Sequence, residues 1–516
     1  MQEKPFSPLS QAERNEVCAL AAAGLPLPPR YRELLFQAEE PSTPPSIPSL
    51  QPREVLSPET RPWINALIQG DNRDILPAAL SGPLAKAIRA AGGVRLIYLD
   101  PPFATGSRFP LFLDLGGQRS DLAAIAYTDS RQGGSGTFLR MLFPRLALMR
   151  DLLAEDGSLY LHCDYRSSAM LRLFLDHLFG ADHFLGEIIW HYTGGGRSRR
   201  YFSRKHDTIL HYARSRRWIF RPEEIRVPYA KTSGYARGGI VSAAGKRYLP
   251  NPRGTPVDDV WSLPIVNPMS RERLPYPTQK PEALLERILR ASSRPGDLVA
   301  DFFCGSGTTL AVAERLGRKW LGADSSPFAI QTSRKRLLLL RRNLENPPPF
   351  AVLDCVRNGP PDTLPPGRHL VVSLRRQSFA YAPPEIRARV RTTGDGMFLE
   401  LCGFVVKDSR EEGELVVRRG LLHRRKAGEY EPLMRSWQDW VDSWDLDPDH
   451  VPGRFVSRWQ SLRERGSREL TLRGPILPAG ASLIAVRVVD IFAREHIALL
   501  PCPPLAGDNP QEIPPP

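Results

Sequence analysis

The sequence has few of the features that mark secreted, disulfide-linked or membrane-spanning proteins. Its 516 residues include six cysteines, and none of them belongs to a Cys-x-x-Cys pair. This spacing argues against a zinc cluster and a disulfide framework, and it suits a reducing compartment. No apolar run reaches about 18 residues, and the first residues lack a basic head followed by an apolar core. We therefore expect a cytoplasmic globular protein without a metal centre and without membrane contact.

Acidic residues are scarce in one part of the chain. Residues 191–250 contain 14 Lys or Arg against 3 Asp or Glu, within a chain whose net charge is +14. A concentrated basic field suits a polyanion better than a small metabolite. On charge alone, a solvated basic surface is an equally good interpretation.

The order of helical and strand patterns predicts the fold class. Helices and strands alternate from about residue 60 to 190 and again from 276 to 344, which indicates an α/β fold with a mostly parallel sheet. The segment 138–158 predicts an amphipathic helix that ends at Gly157. We divide the chain into a helical segment with a proline-rich linker (1–58), two halves of one domain (59–192 and 276–344), an insert (193–275) and an accessory region (345–516).

A glycine-rich turn follows a strand at residues 299–317, VADFFCGSGTTLAVAERLG. Glycines in 304–307 let the backbone adopt positive φ and let a ligand approach closely, and a helix beginning at Thr308 offers free N–H groups. Asp324 ends the next strand, where nucleotide-binding α/β folds place an acid for ribose hydroxyls. The third glycine of GxGxxG and the GK[ST] of a P-loop are absent, so a nucleoside cofactor without a pyrophosphate fits better than NAD or ATP.

The second motif is LIYLDPPFATG, residues 96–106. Asp100 stands at a strand tip, and Pro101 holds it in an extended conformation. Two successive prolines leave nearby carbonyls free to accept hydrogen bonds, and Phe103 offers a ring on which a base can stack. This set suits the exocyclic amine of a heteroaromatic base, whereas the alternative is a proline turn with a capping aspartate. Ligands of open α/β sheets sit at the carboxyl ends of strands, so both motifs could share one cleft.

Taken together, DPPF and DFFCGSGTT resemble the motifs of amino-group DNA methyltransferases, which use S-adenosylmethionine. The catalytic motif precedes the cofactor motif, as in the circularly permuted beta class. IQGDNRDIL (68–76) and YPTQKPEALLERI (276–288) are similar to further segments of that family. The resemblance covers about residues 60–340 and extends to the modification subunits of type III systems. It implies a Rossmann-like sheet with an inserted target-recognition region.

The resemblance implies methyl transfer to adenine N6 of a flipped-out base in double-stranded DNA. The implied catalytic residues are Asp100, Pro101, Pro102 and Phe103. The implied cofactor residues are Asp71, Thr278, Gln279, Lys280, Asp301, Phe302, Cys304, Gly305, Ser306, Gly307, Thr308 and Asp324. The DNA contacts are expected at Arg197, Arg199, Arg200, Arg204 and Lys205. His162, His206, His211 and Asp207 are interpreted as scaffold residues.

Three alternatives stay open at this point. Family members with serine in place of Asp100 usually methylate cytosine N4, so Asp100 favours adenine without excluding an N4-cytosine or RNA enzyme. The chain could instead be a modification or recognition subunit of a restriction or defence complex, working with a partner nuclease or as a homodimer. A nucleotide-binding oxidoreductase is disfavoured by DPPF and the basic insert.

Overall fold

The computed structural model describes residues 48–56, 63–103, 107–115, 118–128, 134–194, 198–230, 232–356, 372–374, 377–379, 385–393, 396–405, 422–426, 429–432, 436–452, 454–464, 467, 469–478 and 483–502. The helices expected within residues 1–40 lie outside these ranges. Across the described residues, no helix is both long and apolar enough to cross a membrane.

One mixed sheet of eleven strands organises the fold, in the order β11-β7-β8-β6-β3-β12-β13-β2-β14-β1-β22. The six strands from β6 to β14 in this order run parallel to one another, which confirms the predicted mostly parallel α/β class. The strands are β1 (Ser49–Leu56), β2 (Asn65–Gln69), β3 (Val94–Leu99), β6 (Leu153–Cys163), β7 (Phe184–His191), β8 (His206–Ala213), β11 (Val260–Ser262), β12 (Leu298–Asp301), β13 (Lys319–Asp324), β14 (Phe350–Val356) and β22 (Phe455–Ser457).

Helices cover both faces of this sheet, because its central strands are apolar on both sides. Along β3, Leu96 and Tyr98 enter one buried cluster while Ile97 and Leu99 enter the other, as strand geometry requires. The helices are α1 (Asn72–Leu80), α2 (Gly82–Ala90), α3 (Gly134–Leu152), α4 (Ser168–Phe179), α5 (Gly234–Gly238), α6 (Glu282–Ser292), α7 (Thr308–Arg315) and α8 (Pro327–Arg341). Short 3-10 helices span Ala181–His183, Pro222–Glu224 and Trp437–Trp440.

The boundary drawn between linker, sheet and accessory region was wrong at two places. Part of the expected linker is strand β1, which pairs antiparallel with β14, and β14 lies within the expected accessory region. Pro52 is tolerated because the register of this ladder breaks between Pro52 and Glu54.

The insert and one helix end also differ from expectation. Strands β8 and β11 of the expected 193–275 insert belong to the central sheet, where β8 lies antiparallel between β6 and β7. Helix α3 ends at Leu152, not at Gly157, because Gly157 lies within β6. A Cβ at Gly157 would lie 2.9 Å from the Val94 carbonyl oxygen, so this glycine permits close approach to β3 and does not cap a helix.

The C-terminal region is antiparallel β structure. Sheets β17-β18-β24 and β23-β21-β25-β26 enclose a buried cluster that includes Leu399, Trp444 and Val486. The strands of the C-terminal region outside the central sheet are β15 (Val372–Leu374), β16 (Gln377–Phe379), β17 (Glu385–Thr393), β18 (Gly396–Val405), β19 (Leu422–Lys426), β20 (Glu429–Pro432), β21 (Val441–Asp447), β23 (Trp459–Leu462), β24 (Arg473–Ile476), β25 (Leu483–Asp490) and β26 (Glu495–Pro501). Two hairpins, β4 (Arg108–Leu115) with β5 (Gln118–Thr128) and β9 (Ile240–Val241) with β10 (Arg247–Tyr248), stand outside the central sheet.

Candidate active site

The two sequence motifs meet at one edge of the central sheet. Asp100 follows the last residue of β3, and β3 is the parallel neighbour of β12, which ends at Asp301 and leads into the glycine turn. Strand β13, on the other side of β12, ends at Asp324. Since carboxyl ends of parallel strands share an edge, the DPPF motif, the glycine turn and Asp324 are neighbours, as the motif positions predict.

Asp100 is engaged in an ion pair with Lys280. The Lys280 ammonium donates to Oδ2 of Asp100 and lies 5.7 Å from the centre of the Phe103 ring. The Lys280 carbonyl accepts a hydrogen bond from the Thr308 hydroxyl at 3.2 Å, at the start of α7. The segment expected to bind the cofactor thus connects the Asp100 carboxylate to the glycine turn.

Phe103 rests on a buried polar chain that the sequence interpretation treated as scaffold. Its ring is stacked on His162, with centroids 6.0 Å apart and planes at 29°. One ring nitrogen of His162, Nδ1, lies 2.9 Å from the Tyr98 hydroxyl, and the other lies 3.1 Å from the Asp207 carboxylate. Burial would raise the pKa of Asp207, but hydrogen bonds and nearby positive charge, those of His162 first among them, together outweigh burial and lower that pKa. These hydrogen bonds therefore fix the orientation of the His162 ring beneath Phe103.

The glycine turn is stabilised by Asp324. Gly305 and Gly307 have φ of +49° and +71°, and a residue with a Cβ rarely adopts either. The Gly305 N–H donates to Oδ2 of Asp324 at 2.9 Å, and the Ser326 N–H donates to Oδ1 at 2.9 Å. Burial raises the pKa of Asp324, and these N–H donors offset part of the rise.

Helix α8 supports the same turn from behind, a contribution that the sequence motifs did not indicate. The Ser333 hydroxyl donates to the Gly305 carbonyl at 3.0 Å, and Arg336 donates to the Thr308 hydroxyl at 2.8 Å and the Ser306 carbonyl at 3.3 Å. A Cβ at Gly307 would lie 2.6 Å from the Ser333 hydroxyl oxygen. The glycine is thus required by packing against α8 as well as by its φ.

Three of the residues expected to bind cofactor point into the protein. Asp301 is 2% exposed, and its carboxylate accepts from the Thr309 hydroxyl at 2.6 Å and the Phe303 N–H at 3.0 Å. Burial raises the pKa of Asp301 to about 7. Phe302 and Cys304 are buried in the two apolar clusters. These side chains shape the turn from within.

Asp71 begins α1 beside the end of β13. Its Oδ1 accepts from the Arg73 N–H at 2.9 Å and from Arg145 at 2.9 Å. Burial would raise the pKa of Asp71, but the Arg73 hydrogen bond and the Arg145 charge lower it. The side chain of Asn72 donates to the Phe302 carbonyl at 3.0 Å, which ties α1 to the end of β12.

The remaining two residues of the TQK segment organise their own loop. Thr278 has a φ of +58°, and its hydroxyl lies 3.1 Å from the Tyr127 hydroxyl. Gln279 accepts from the Leu274 N–H and donates to the Glu272 carbonyl, both at 2.8 Å. These contacts hold the loop that presents Lys280 to Asp100.

The expected DNA contacts lie between β7 and β8, at the same edge of the sheet. Arg199, Arg200 and Arg204 are exposed, and the Arg204 guanidinium lies 4.1 Å from the centre of the Tyr165 ring. The Lys205 ammonium donates to the Gly194 carbonyl. Arg197 lies outside the described residues.

Comparison with known proteins places these features in a family. The family described as DNA methylase matches residues 94–335, which include both motifs. The chain is 36% identical to the type II methyltransferase M1.MboII of Moraxella bovis, covering 36% of this chain and 74% of that protein. It is 31% identical to the DNA adenine methyltransferase YhdJ of Escherichia coli K12, covering 48% of this chain and 77% of that one.

A third relative is matched over a smaller share of its own length, and a solved structure is less similar in sequence. The chain is 31% identical to the type II methyltransferase M.EcaI of Enterobacter cloacae, over 48% of this chain and 65% of that protein, which is less than two thirds of its length. A crystal structure of the M1.HpyAVI–SAM complex is 20% identical, with a TM-score of 0.34, covering 54% of this chain and 99% of that one.

Proposed function

Because the chain belongs to the N6/N4 DNA methylase family, we propose that it transfers a methyl group from S-adenosylmethionine to N6 of adenine in double-stranded DNA. The observation that carries the proposal is the position of Asp100. Its carboxylate lies at the carboxyl edge of the sheet, beside the Phe103 ring and one strand away from the glycine turn.

The residues at this edge fit S-adenosylmethionine, the cofactor that the family uses. Each oxygen of Asp324 accepts one backbone N–H and retains capacity for a ribose hydroxyl. The positive φ angles at Gly305 and Gly307 keep side chains away from the turn, and Asp71 adds a carboxylate near the end of β13. When bound, the cofactor supplies an electrophilic methyl group on a sulfonium.

The residues of the catalytic motif orient the amine that is methylated. The target adenine has to leave the base stack, because its N6 is otherwise paired. Asp100 and the Pro101 carbonyl accept hydrogen bonds from N6, and Phe103 stacks on the flipped base. Lys280 occupies one oxygen of Asp100, and a carboxylate has further lone pairs with which to accept the amine. Positioning of this kind contributes most of the rate enhancement when the leaving group is already good.

Adenine is the proposed base for two reasons. Asp100 stands where cytosine-N4 members of the family usually have serine. One relative, YhdJ, is named as an adenine methyltransferase. The exposed arginines between β7 and β8 supply contacts to the phosphate backbone at the same edge.

The first test is Asp100→Ala. We expect kcat for methyl transfer to plasmid DNA to fall by at least about 100-fold, since electrostatic stabilisation at the reacting atom is lost. Titration calorimetry with S-adenosylhomocysteine should show unchanged binding. Asp156→Ala is the matched control, because Asp156 pairs with Arg95 near the amino ends of β6 and β3, away from the sheet edge that carries Asp100. Retained activity in Asp100→Ala would contradict the assigned role.

The second test identifies the base. Methylome sequencing of a host that expresses the protein, with mass analysis of its nucleosides, should give N6-methyladenine in one sequence context. N4-methylcytosine would overturn the choice of base, and unmodified DNA together with an inactive purified protein would overturn the activity.

A further inference from the structure

The segment between β7 and β8 carries one aromatic ring that has no packing role in the described protein. Phe202 is 99% exposed, the highest value among the large apolar side chains that the structure describes, followed by Met269 at 89%. A phenylalanine usually lies inside a protein, so complete exposure is informative when its neighbours also suggest a partner.

Hydrogen bonds give this segment a defined shape. The Ser198 hydroxyl accepts from the N–H groups of Arg200 and Tyr201, at 3.2 and 3.3 Å. The Ser203 hydroxyl accepts from the Ser198 N–H at 3.0 Å. Residues 198–203 therefore form a closed turn, and Phe202 stands on it with its ring in solvent.

Cation–ring contacts attach the turn to the catalytic edge. The Arg204 guanidinium lies 4.7 Å from the Tyr201 ring centre and 4.1 Å from that of Tyr165, which follows the end of β6. Asp207, five residues after Phe202, holds His162 beneath Phe103. An extended chain spans at most about 3.6 Å per residue, so the Cα atoms of Phe202 and Asp207 are within about 18 Å.

The chemistry around Phe202 fits a base-pair stack. Arg199 and Arg200 on this turn and Arg204 directly after it are exposed cations, and such groups bind the phosphates on either side of a base step. Apolar side chains such as phenylalanine insert between base steps and unstack them. Flipping one adenine leaves a gap of one base in the stack, next to the pocket that receives it.

We propose that Phe202 inserts into duplex DNA at the target position and occupies the gap left by the flipped adenine. This inference rests on the proposed function and adds a residue that promotes base extrusion without touching the reacting atoms. Its partner is duplex DNA with one base extruded, bound across the edge that carries Asp100 and Phe103.

The test compares Phe202→Ala with the wild-type protein on two duplexes of the sequence context found by methylome sequencing. In one duplex the target adenine is paired, and in the other it faces an abasic site, which removes most of the cost of extrusion. We expect kcat/KM of the variant to fall by about 10-fold or more on the paired duplex and by less than about twofold on the abasic one. With 2-aminopurine at the target, the variant should lose most of the fluorescence increase on the paired duplex.

Two further variants separate insertion from general contact. Phe202→Trp keeps a ring and should restore kcat/KM on the paired duplex, whereas Met269→Ala removes another exposed apolar side chain and should behave as wild type on both. Equal rates for Phe202→Ala and wild type on the paired duplex would overturn the inference, and so would equal losses on both duplexes. A wild-type protein inactive on both would instead overturn the proposed function.

Discussion

Two groups of charged side chains in this protein have similar chemistry and opposite surroundings. The first is the ion pair of Asp100 and Lys280 at the open edge of the sheet, where the two side chains are 18% and 12% exposed. The second joins β1, α8, β21 and β25 through Glu54, Arg334, Asp445 and Arg487, and all four are at most 1% exposed.

The contrast shows how burial decides what a charge can do. In the buried network Arg334 pairs with Glu54 at 2.6 Å and with Asp445 at 2.6 Å, and Arg487 pairs with the same two carboxylates, so removing one member would leave an uncompensated charge away from water. Asp100 has one cation and remaining contact with solvent, so its oxygens can accept a new donor. The network therefore fixes the C-terminal strands against α8, and the pair leaves the Asp100 carboxylate available to a new hydrogen-bond donor.

The largest effect on stability is expected from removing a cation of the buried network. Arg334→Met leaves Glu54 and Asp445 short of a partner and should lower the free energy of unfolding by about 3–5 kcal/mol, measured by urea denaturation. Arg342→Met is the control, since Arg342 pairs with Glu464 in solvent and should change that free energy by about 0–1 kcal/mol. Equal losses in the two variants would show that burial does not separate them.

A smaller, pH-dependent effect is expected at Asp301, which is buried like the network but has no cation as its hydrogen-bond partner. The pKa of Asp301 is raised to about 7 in the folded protein, above its ordinary value. Between these pKa values the native state holds a proton that the unfolded state has released, so stability falls as pH rises and levels off above about pH 7.

Asp301→Asn removes this titration and mimics the protonated acid. From pH 5 to pH 8 the wild-type protein should lose about 3 kcal/mol of unfolding free energy relative to Asp301→Asn. The loss accumulates between pH 5 and the pKa of about 7, an interval of two pH units at about 1.4 kcal/mol each. Denaturation of both proteins at the two pH values measures the change. A constant difference between them would contradict a raised pKa.

The smallest effect on stability is expected at the open pair. Lys280→Met should lower the free energy of unfolding by about 1 kcal/mol or less, because Asp100 can regain water. Methyl transfer should fall by about 10-fold or more, since the carboxylate loses the group that positions it. Denaturation and the methylation assay together check this, and a stability loss as large as that of Arg334→Met would remove the distinction between the two groups.

The sequence motifs were informative where a function depends on consecutive residues. Asp100 to Phe103 and the turn from Cys304 to Gly307 could be read directly, because a strand tip, two prolines and positive-φ glycines leave a local pattern. His162 and Asp207 could not be assigned, since the stacking of His162 on Phe103 and its hydrogen bond to Asp207 arise from the pairing of β6 with β3 and β8. No sequence pattern identifies Ser333 and Arg336 either, because their contacts with the glycine turn depend on how α8 packs behind it.

By itself, the sequence determined the α/β class, the order of the two motifs and the concentration of positive charge in residues 191–250. Each depends on composition, periodicity or neighbouring residues. Only the tertiary structure decided that β1, β8, β11 and β14 join the central sheet, that Lys280 pairs with Asp100, and that Phe202 remains in solvent. These outcomes depend on strand pairing and burial between residues far apart in the chain, such as Asp100 and Lys280, which are separated by 180 positions.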